Sequence, residues 1–100
     1  MLQILRIAGD SLTPKYKEGD FVLVAKIPFL FPIKIGDVIV FRKQPWGTLI
    51  KRVETIRQGG HAFWVVGTHP NSTDSRLFGE VEMNEVVGKV IFHKPLSNAP

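Results

Sequence analysis

Hydroxyl groups, rather than thiols, are the nucleophiles that this chain offers, because it contains no cysteine. That absence excludes disulfides, zinc–thiolate sites and thiol catalysis. A serine hydroxyl is nearly un-ionised at neutral pH and needs a base within hydrogen-bond reach. The serines are Ser11, Ser72, Ser75 and Ser97, and the histidines are His61, His69 and His93. Members of a Ser-His-Asp triad meet in space rather than along the chain, so the sequence leaves a triad open. The histidines lack the short spacing of metal ligands, and we expect no metal and no cofactor.

A serine and a lysine favour a different chemistry. Ser11 follows an apolar strand-like segment and stands in the turn-like stretch Gly9–Pro14, which read alone indicates only a turn or a helix N-cap. Lys51 lies inside another strand-like segment, between Leu49 and Val53 on one predicted face. Burial on such a face lowers the pKa of a lysine amine, and a neutral amine can act as a general base toward a serine. The alternative is that Lys51 extends its amine to solvent, as most strand lysines do.

A third segment, Asn71–Arg76, is polar and reads Asn-Ser-Thr-Asp-Ser-Arg. Taken alone it predicts a surface loop held by one pair between Asp74 and Arg76. The segment also carries Ser72, one of the candidate nucleophiles.

The elements that must position these groups are strands. Apolar, β-branched or alternating runs predict strands at 2–8, 21–25, 37–42, 48–56, 61–66 and 86–92, and the run 21–25 is expected to be buried on both faces. The fourth strand alternates, with Leu49, Lys51, Val53 and Thr55 on one face and Ile50, Arg52, Glu54 and Ile56 on the other. The turn Gln58–Gly60 predicts a hairpin between the fourth and fifth strands, and helix is expected only as short turns near 12–16 or 83–85. These elements predict a mainly β, compact, barrel-like fold in one domain over residues 1–94, with a frayed tail over 95–100.

Charge and hydropathy limit the partners. The formal net charge of +4 suits an anionic partner, but lysines and arginines are scattered, so we expect no nucleic-acid site. The apolar stretch 27–33 is too short for a transmembrane helix, and the first residues lack the pattern of a signal peptide. We therefore expect a soluble or peripheral protein in the cytoplasm or at a membrane. Phe29, Leu30 and Phe31 are candidates for peripheral membrane contact.

In order and spacing, these segments resemble the signal peptidase I family of Ser/Lys peptidases. The matching stretches are GDSLTPKYKEGDFVLV (9–24), IGDVIVF (35–41), LIKRVE (49–54), FWVVG (63–67), NSTDSRLFGEV (71–81) and VVGKV (86–90). Each motif is weak singly, and the set spans nearly the whole chain. The nearest likeness is to short, anchor-less members that mature nickel-type superoxide dismutase. The resemblance implies the catalytic fold that signal peptidases share with self-cleaving repressors.

The resemblance also implies roles by position. Ser11 matches the nucleophile, Lys51 the general base, and Ser72 the serine that orients the lysine amine. Asp74 and Arg76 match an ion pair that braces the loop beneath the dyad. Residues that match the strands and pockets clamping an extended peptide are Ile7, Ala8, Gly9, Leu12, Leu49 and Ile50. The implied activity is removal of an N-terminal leader or propeptide from a protein, such as a nickel superoxide dismutase precursor.

Three departures from the family pattern leave alternative functions open. Leu12 replaces the usual Met, Thr68-His69 replaces the usual Asp-Asn, and the loop to Ser72 is about one residue shorter. The altered loop admits an inactive peptide-binding module on the same scaffold. The absence of a membrane helix admits a signal peptidase catalytic domain without its anchor. A self-cleaving repressor would need a DNA-binding segment and a cleavage site before the dyad, where only ten residues precede Ser11. Oligomeric state stays open.

Overall fold

Seven β-strands dominate the computed structural model, which describes residues 2–7, 18–26, 31–67 and 73–95. The strands are β1 (Leu2–Arg6), β2 (Phe21–Ala25), β3 (Val38–Lys43), β4 (Gly47–Arg57), β5 (Ala62–Val66), β6 (Val81–Glu82) and β7 (Val86–Lys94). They form one sheet in the order β1-β2-β7-β3-β4-β5-β6, and every neighbouring pair is antiparallel. The mainly β prediction is confirmed, and the six predicted strands all form with ends shifted by no more than about two residues.

Within the described residues, helix is confined to single turns, and the turn expected near 12–16 lies outside them. A 3₁₀ turn spans Gln58–Gly60 in the predicted hairpin, and another spans Met83–Glu85, where the sequence predicted a turn. The short helix α1 (Ser75–Phe78) and strand β6 were not predicted. Elements of two to four residues are too short to show an apolar period, so tertiary contacts rather than local pattern fix them.

Two apolar clusters lie on opposite sides of β3, because successive strand residues point to opposite faces. Ile39 and Phe41 belong to the larger cluster, with Val53, Phe63, Val65, Val81 and Val86. Val40 belongs to the smaller cluster, with Ile7, Val22 and Val24. The sheet thus has a core on each side, and β3 is buried between them.

The alternation predicted for β4 holds in its first half and is wrong in its second half. Leu49 packs against the larger cluster and Ile50 against the smaller one, as expected. An irregularity in the β4–β5 register between Val53 and Thr55 inserts one extra residue. Such a bulge reverses the faces that follow it, so Ile56 packs on the same cluster as Val53 instead of opposite it.

Strand β2 is not buried on both faces, which corrects the prediction for 21–25. Val22 and Val24 are buried, whereas Phe21 and Leu23 remain partly exposed on the other face. The neighbouring strand β1 shows the same asymmetry, with Ile4 72% exposed. A continuous apolar run therefore does not establish burial on both sides, because one face of β1 and β2 has no layer over it among the described residues.

Candidate active site

Lys51 is buried in the middle of β4. It lies directly opposite Ile39 in the β3–β4 ladder, and the residue is only 3% exposed. Its neighbours on the same face, Leu49 and Val53, pack in the larger apolar cluster. With so little of the residue in contact with solvent, the burial does not favour the alternative in which Lys51 extends its amine to solvent.

A cleft of about 110 Å³ separates the end of β1 from the first half of β4. Three residues that the resemblance assigned to peptide binding, Ile7, Leu49 and Ile50, line this cleft together with Lys51. The remaining lining residues are Leu5, Arg6, Val22, Val40 and Thr48. The fold thus brings the lysine and half of the expected peptide-contacting residues to one place, although they come from strands separated by more than forty positions.

Both strands that border the cleft have a free edge within the part of the chain that the structure describes. β1 pairs with β2 alone, and β5 pairs with β4 only from Arg52 onward. The edge of residues 47–50 that does not face β3 therefore has no strand paired to it among the described residues. Unpaired strand edges can accept an extended peptide as an added strand.

Asp74 and Arg76 form the ion pair that the sequence predicted. Arg76 Nη2 lies 2.8 Å from Asp74 Oδ2, and Arg76 Nε donates to Oδ1 at 3.0 Å. Oδ1 also accepts from the backbone N–H of Arg76, which makes Asp74 the N-cap of α1. The Asp74 residue is fully buried, and a buried carboxylate requires such a complete set of donors.

A further donor to this carboxylate comes from the end of β5. The backbone N–H of Gly67 donates to Asp74 Oδ2 at 3.0 Å. Burial by itself raises the pKa of the Asp74 carboxyl, but the Arg76 side chain, the backbone N–H groups of Gly67 and Arg76, and the positive charge of Arg76 together hold this pKa below its usual value. Asp74 is therefore an anion that ties α1 to the end of β5.

Ser75 is a structural serine, although its type made it a candidate nucleophile. It is 1% exposed, and its Oγ accepts a hydrogen bond from the backbone N–H of Val65 at 2.8 Å. This bond fastens α1 to β5 beside the Asp74–Gly67 bond. The sequence reasoning missed this role, and the signal that could have suggested it is the position of Ser75 between the two paired charges.

The histidines that the structure describes take no place in the cleft lining. His61 is exposed on the turn before β5, and His93 Nε2 lies 2.7 Å from Asp20 Oδ2. The pairing of Asp20 with His93 was not predicted, since the two residues are 73 positions apart. The described residues also contain no group of three or more side chains that could hold a metal ion.

Several predicted residues lie outside the described ranges. These are Ala8, Gly9, Ser11, Leu12, Phe29, Leu30, His69, Ser72 and Ser97. Phe31 is described; it is half-buried and lines a small pocket with Ile33 and Met83. The described part of the candidate site therefore consists of the buried lysine, the cleft of about 110 Å³ and the Asp74–Arg76 pair.

A single antiparallel sheet with a buried lysine beside an open-edged cleft is consistent with a serine peptidase-type fold. The Peptidase S24-like family model matches residues 1–91, and the chain belongs to this family. A search of curated proteins found no match. The family match supports the peptidase class, and it is coarser than the resemblance to signal peptidase I. None of the helices in the described ranges has the length and apolar character needed to cross a bilayer.

Proposed function

We propose that the chain is a serine endopeptidase of the signal peptidase I type, in which Ser11 is the nucleophile and Lys51 the general base. The observation that carries this proposal is the burial of Lys51 among apolar neighbours at the cleft. Desolvation disfavours an ammonium group, so a lysine in this setting can hold the neutral amine that the reaction needs. The family match supports the peptidase class independently.

In the proposed reaction, the neutral Lys51 amine takes the proton of the Ser11 hydroxyl while Oγ attacks the carbonyl carbon of the scissile peptide bond. The backbone N–H of Ser11 donates to the oxyanion that forms, a contact worth about 3 kcal/mol. The C–N bond then breaks, and the ammonium group returns its proton to the leaving amine. Water, activated by the same amine, hydrolyses the acyl-enzyme and frees Ser11.

Two groups support the base in this proposal. Ser72 orients the Lys51 amine by a hydrogen bond, and the Asp74–Arg76 pair braces the loop that carries Ser72. The bonds from Asp74 to Gly67 and from Ser75 to Val65 support the bracing role, since they fix the far side of that loop to β5. The loop itself lies outside the described ranges.

The proposed substrate is an extended segment of a protein, cleaved to remove an N-terminal leader or propeptide. The open edges of β1 and of residues 47–50 would pair with its main chain, while Ala8, Gly9 and Leu12 would complete the pocket. A cleft of about 110 Å³ that is bordered by Ile7, Leu49 and Ile50 suits small apolar side chains. A nickel superoxide dismutase precursor is the substrate that the sequence resemblance favours.

The test uses Ser11→Ala and Lys51→Ala, with Lys34→Ala as the matched control because Lys34 is exposed and is not among the residues that line the cleft. Purified protein is incubated with a nickel superoxide dismutase precursor and with a fluorophosphonate probe. We expect wild type and Lys34→Ala to cleave and to be labelled, and both dyad variants to lose at least about 10³-fold in activity. Near-wild-type cleavage by Lys51→Ala would refute the dyad.

An inactive peptide-binding module is the second candidate, and the altered pair Thr68-His69 favours it. This function predicts that the precursor's leader binds without cleavage and that the probe does not label Ser11. A signal peptidase catalytic domain lacking its anchor would instead cleave secretory leaders in preference to the dismutase precursor. Incubating the protein alone distinguishes a self-cleaving member of the family, since that reaction would shorten the chain without added substrate.

Contact with a membrane surface is a further proposal about partners. Phe29, Leu30 and Phe31 motivated it. The exposure of Ile4 (72%) and Phe92 (61%) on the β1–β2–β7 face adds apolar surface beside Lys94 and the Arg6 guanidinium, which lies over the Phe21 ring. Sedimentation with anionic phosphatidylglycerol vesicles and with neutral phosphatidylcholine vesicles tests this contact. Binding that requires the anionic lipid and is lost in Ile4→Asp would support it, and failure to sediment with either would refute it.

A further inference from the structure

Asp20 is a buried carboxylate outside the dyad and its brace. The residue is 3% exposed and lies immediately before β2. Its Oδ2 lies 2.7 Å from Nε2 of His93, which is a residue of β7. In the sheet, β2 lies between β1 and β7. The contact therefore connects the start of β2 to its neighbour β7.

The backbone of Asp20 is hydrogen-bonded to Ile7, which lines the cleft. The N–H of Ile7 donates to the carbonyl of Asp20 at 2.8 Å, and the N–H of Gly19 donates to the carbonyl of Ile7 at 2.7 Å. These two bonds extend the β1–β2 ladder beyond its last strand pair, Arg6 with Phe21. Ile7, the residue that follows β1, lines the cleft together with Leu49 and Lys51.

A continuous path therefore connects β7 to the cleft wall. It runs from the His93 ring to the Asp20 carboxylate, through the Asp20 carbonyl to the Ile7 N–H, and so to the cleft. The last bonds of an edge strand fray readily, because only one neighbouring strand holds them. The contact between the Asp20 carboxylate and His93 restrains Asp20. The hydrogen bond from the Ile7 N–H depends on the position of the Asp20 carbonyl.

We propose that Asp20 and His93 are positioning residues for the peptide cleft, which keep Ile7 at the separation from β4 that an extended substrate requires. This inference rests on the proposed function for the role of the cleft. The pair touches neither the scissile bond nor the dyad in this proposal; it acts through the backbone of Ile7. Its loss should therefore weaken peptide binding more than it slows chemistry.

The test compares Asp20→Asn, His93→Leu and His93→Gln, with His61→Leu as the control because His61 is exposed and remote from the path. Asp20→Asn leaves no unpaired buried charge, so it remains informative if His93→Leu unfolds. His93→Gln keeps a side-chain N–H that can donate to Asp20. Thermal unfolding first establishes which variants are folded at the assay temperature.

The first readout is kinetic, with an internally quenched alanine-rich peptide as substrate. We expect Asp20→Asn and His93→Leu to raise KM about tenfold with kcat within about twofold, and to keep the wild-type rate of fluorophosphonate labelling. His93→Gln should restore most of the lost KM, and His61→Leu should match wild type. Unchanged KM in a folded Asp20→Asn, or equal losses in kcat and labelling, would overturn the inference.

The second readout does not depend on peptidase activity. Amide exchange of Ile7, measured by NMR, should accelerate about tenfold in Asp20→Asn and His93→Leu but not in His61→Leu. If wild type neither cleaves the peptide nor reacts with the probe, the proposed function fails while the exchange rates still decide the positioning role. Ile7 exchange that equals wild type in the folded variants would overturn it.

Discussion

The carboxylate of Asp74 accepts a hydrogen bond from the backbone N–H of Gly67 at 3.0 Å, and this bond joins the two sides of segment 68–72. The Arg76 guanidinium chelates the same carboxylate from the opposite direction. Because Asp74 is fully buried, these contacts are shielded from solvent on the carboxylate side. One anion thus joins the end of β5 to the start of α1.

Replacing Asp74 by alanine should destabilise the fold. Asp74→Ala removes the N-cap of α1 and leaves the N–H groups of Gly67 and Arg76 without their acceptor, for a cost of about 3 kcal/mol. Urea unfolding measures this change. Glu80→Ala is the control, since its partly exposed pair with Arg57 should contribute no more than about 1 kcal/mol. An equal loss of unfolding free energy in the two variants would show that Asp74 contributes no more to stability than a partly exposed ion pair does.

Acid should reduce the free energy by which Asp74 stabilises the fold. Its pKa in the folded state is lowered from the ordinary value of 3.8, so its stabilisation is complete above that value and is lost as the pH falls through the lower, folded-state pKa. The difference in unfolding free energy between wild type and Asp74→Asn should be constant from about pH 6 to 8 and shrink below about pH 4. A difference that grows on acidification would contradict the ion pair.

Ser75 should matter for stability and not as a nucleophile. Ser75→Ala leaves the buried N–H of Val65 without its acceptor, which should cost about 1–3 kcal/mol in chemical denaturation. Thr48→Ala, at an exposed strand position, should change stability by about 0.5 kcal/mol or less. The folded Ser75→Ala protein should still react with the fluorophosphonate probe. Complete loss of labelling in folded protein would instead make Ser75 a nucleophile candidate again.

Lys51 should be required for chemistry even where the fold is kept. Lys51→Met keeps an unbranched side chain of similar length at the buried position but removes the amine, so the variant should still unfold cooperatively in urea. Peptidase activity should vanish in the same variant, while wild-type activity should rise with pH as the amine deprotonates. A large loss of stability in Lys51→Met would indicate a structural role for the amine instead.

Much of the fold could be predicted because strand residues obey a local rule. Alternation and turn residues located the six longer strands, and the Gln58–Gly60 turn marked the hairpin. The bulge between Val53 and Thr55 could not be predicted, because it depends on how β4 fits against β5 rather than on β4's own pattern. Helix α1 was missed for a similar reason: its four residues are held by Asp74 and by Ser75's bond to Val65.

The candidate chemical groups could be predicted where they depend only on residue type and order along the chain. The sequence by itself determined that thiols are absent, that Lys51 sits in a strand, and that Asp74 and Arg76 are near enough to pair. Only the tertiary structure decided that Lys51 is buried, that Ile7 and Leu49 share one cleft, and that Asp20 meets His93. The reason is physical: alternation fixes which face a side chain takes, but burial and proximity depend on which strands lie beside and above that face.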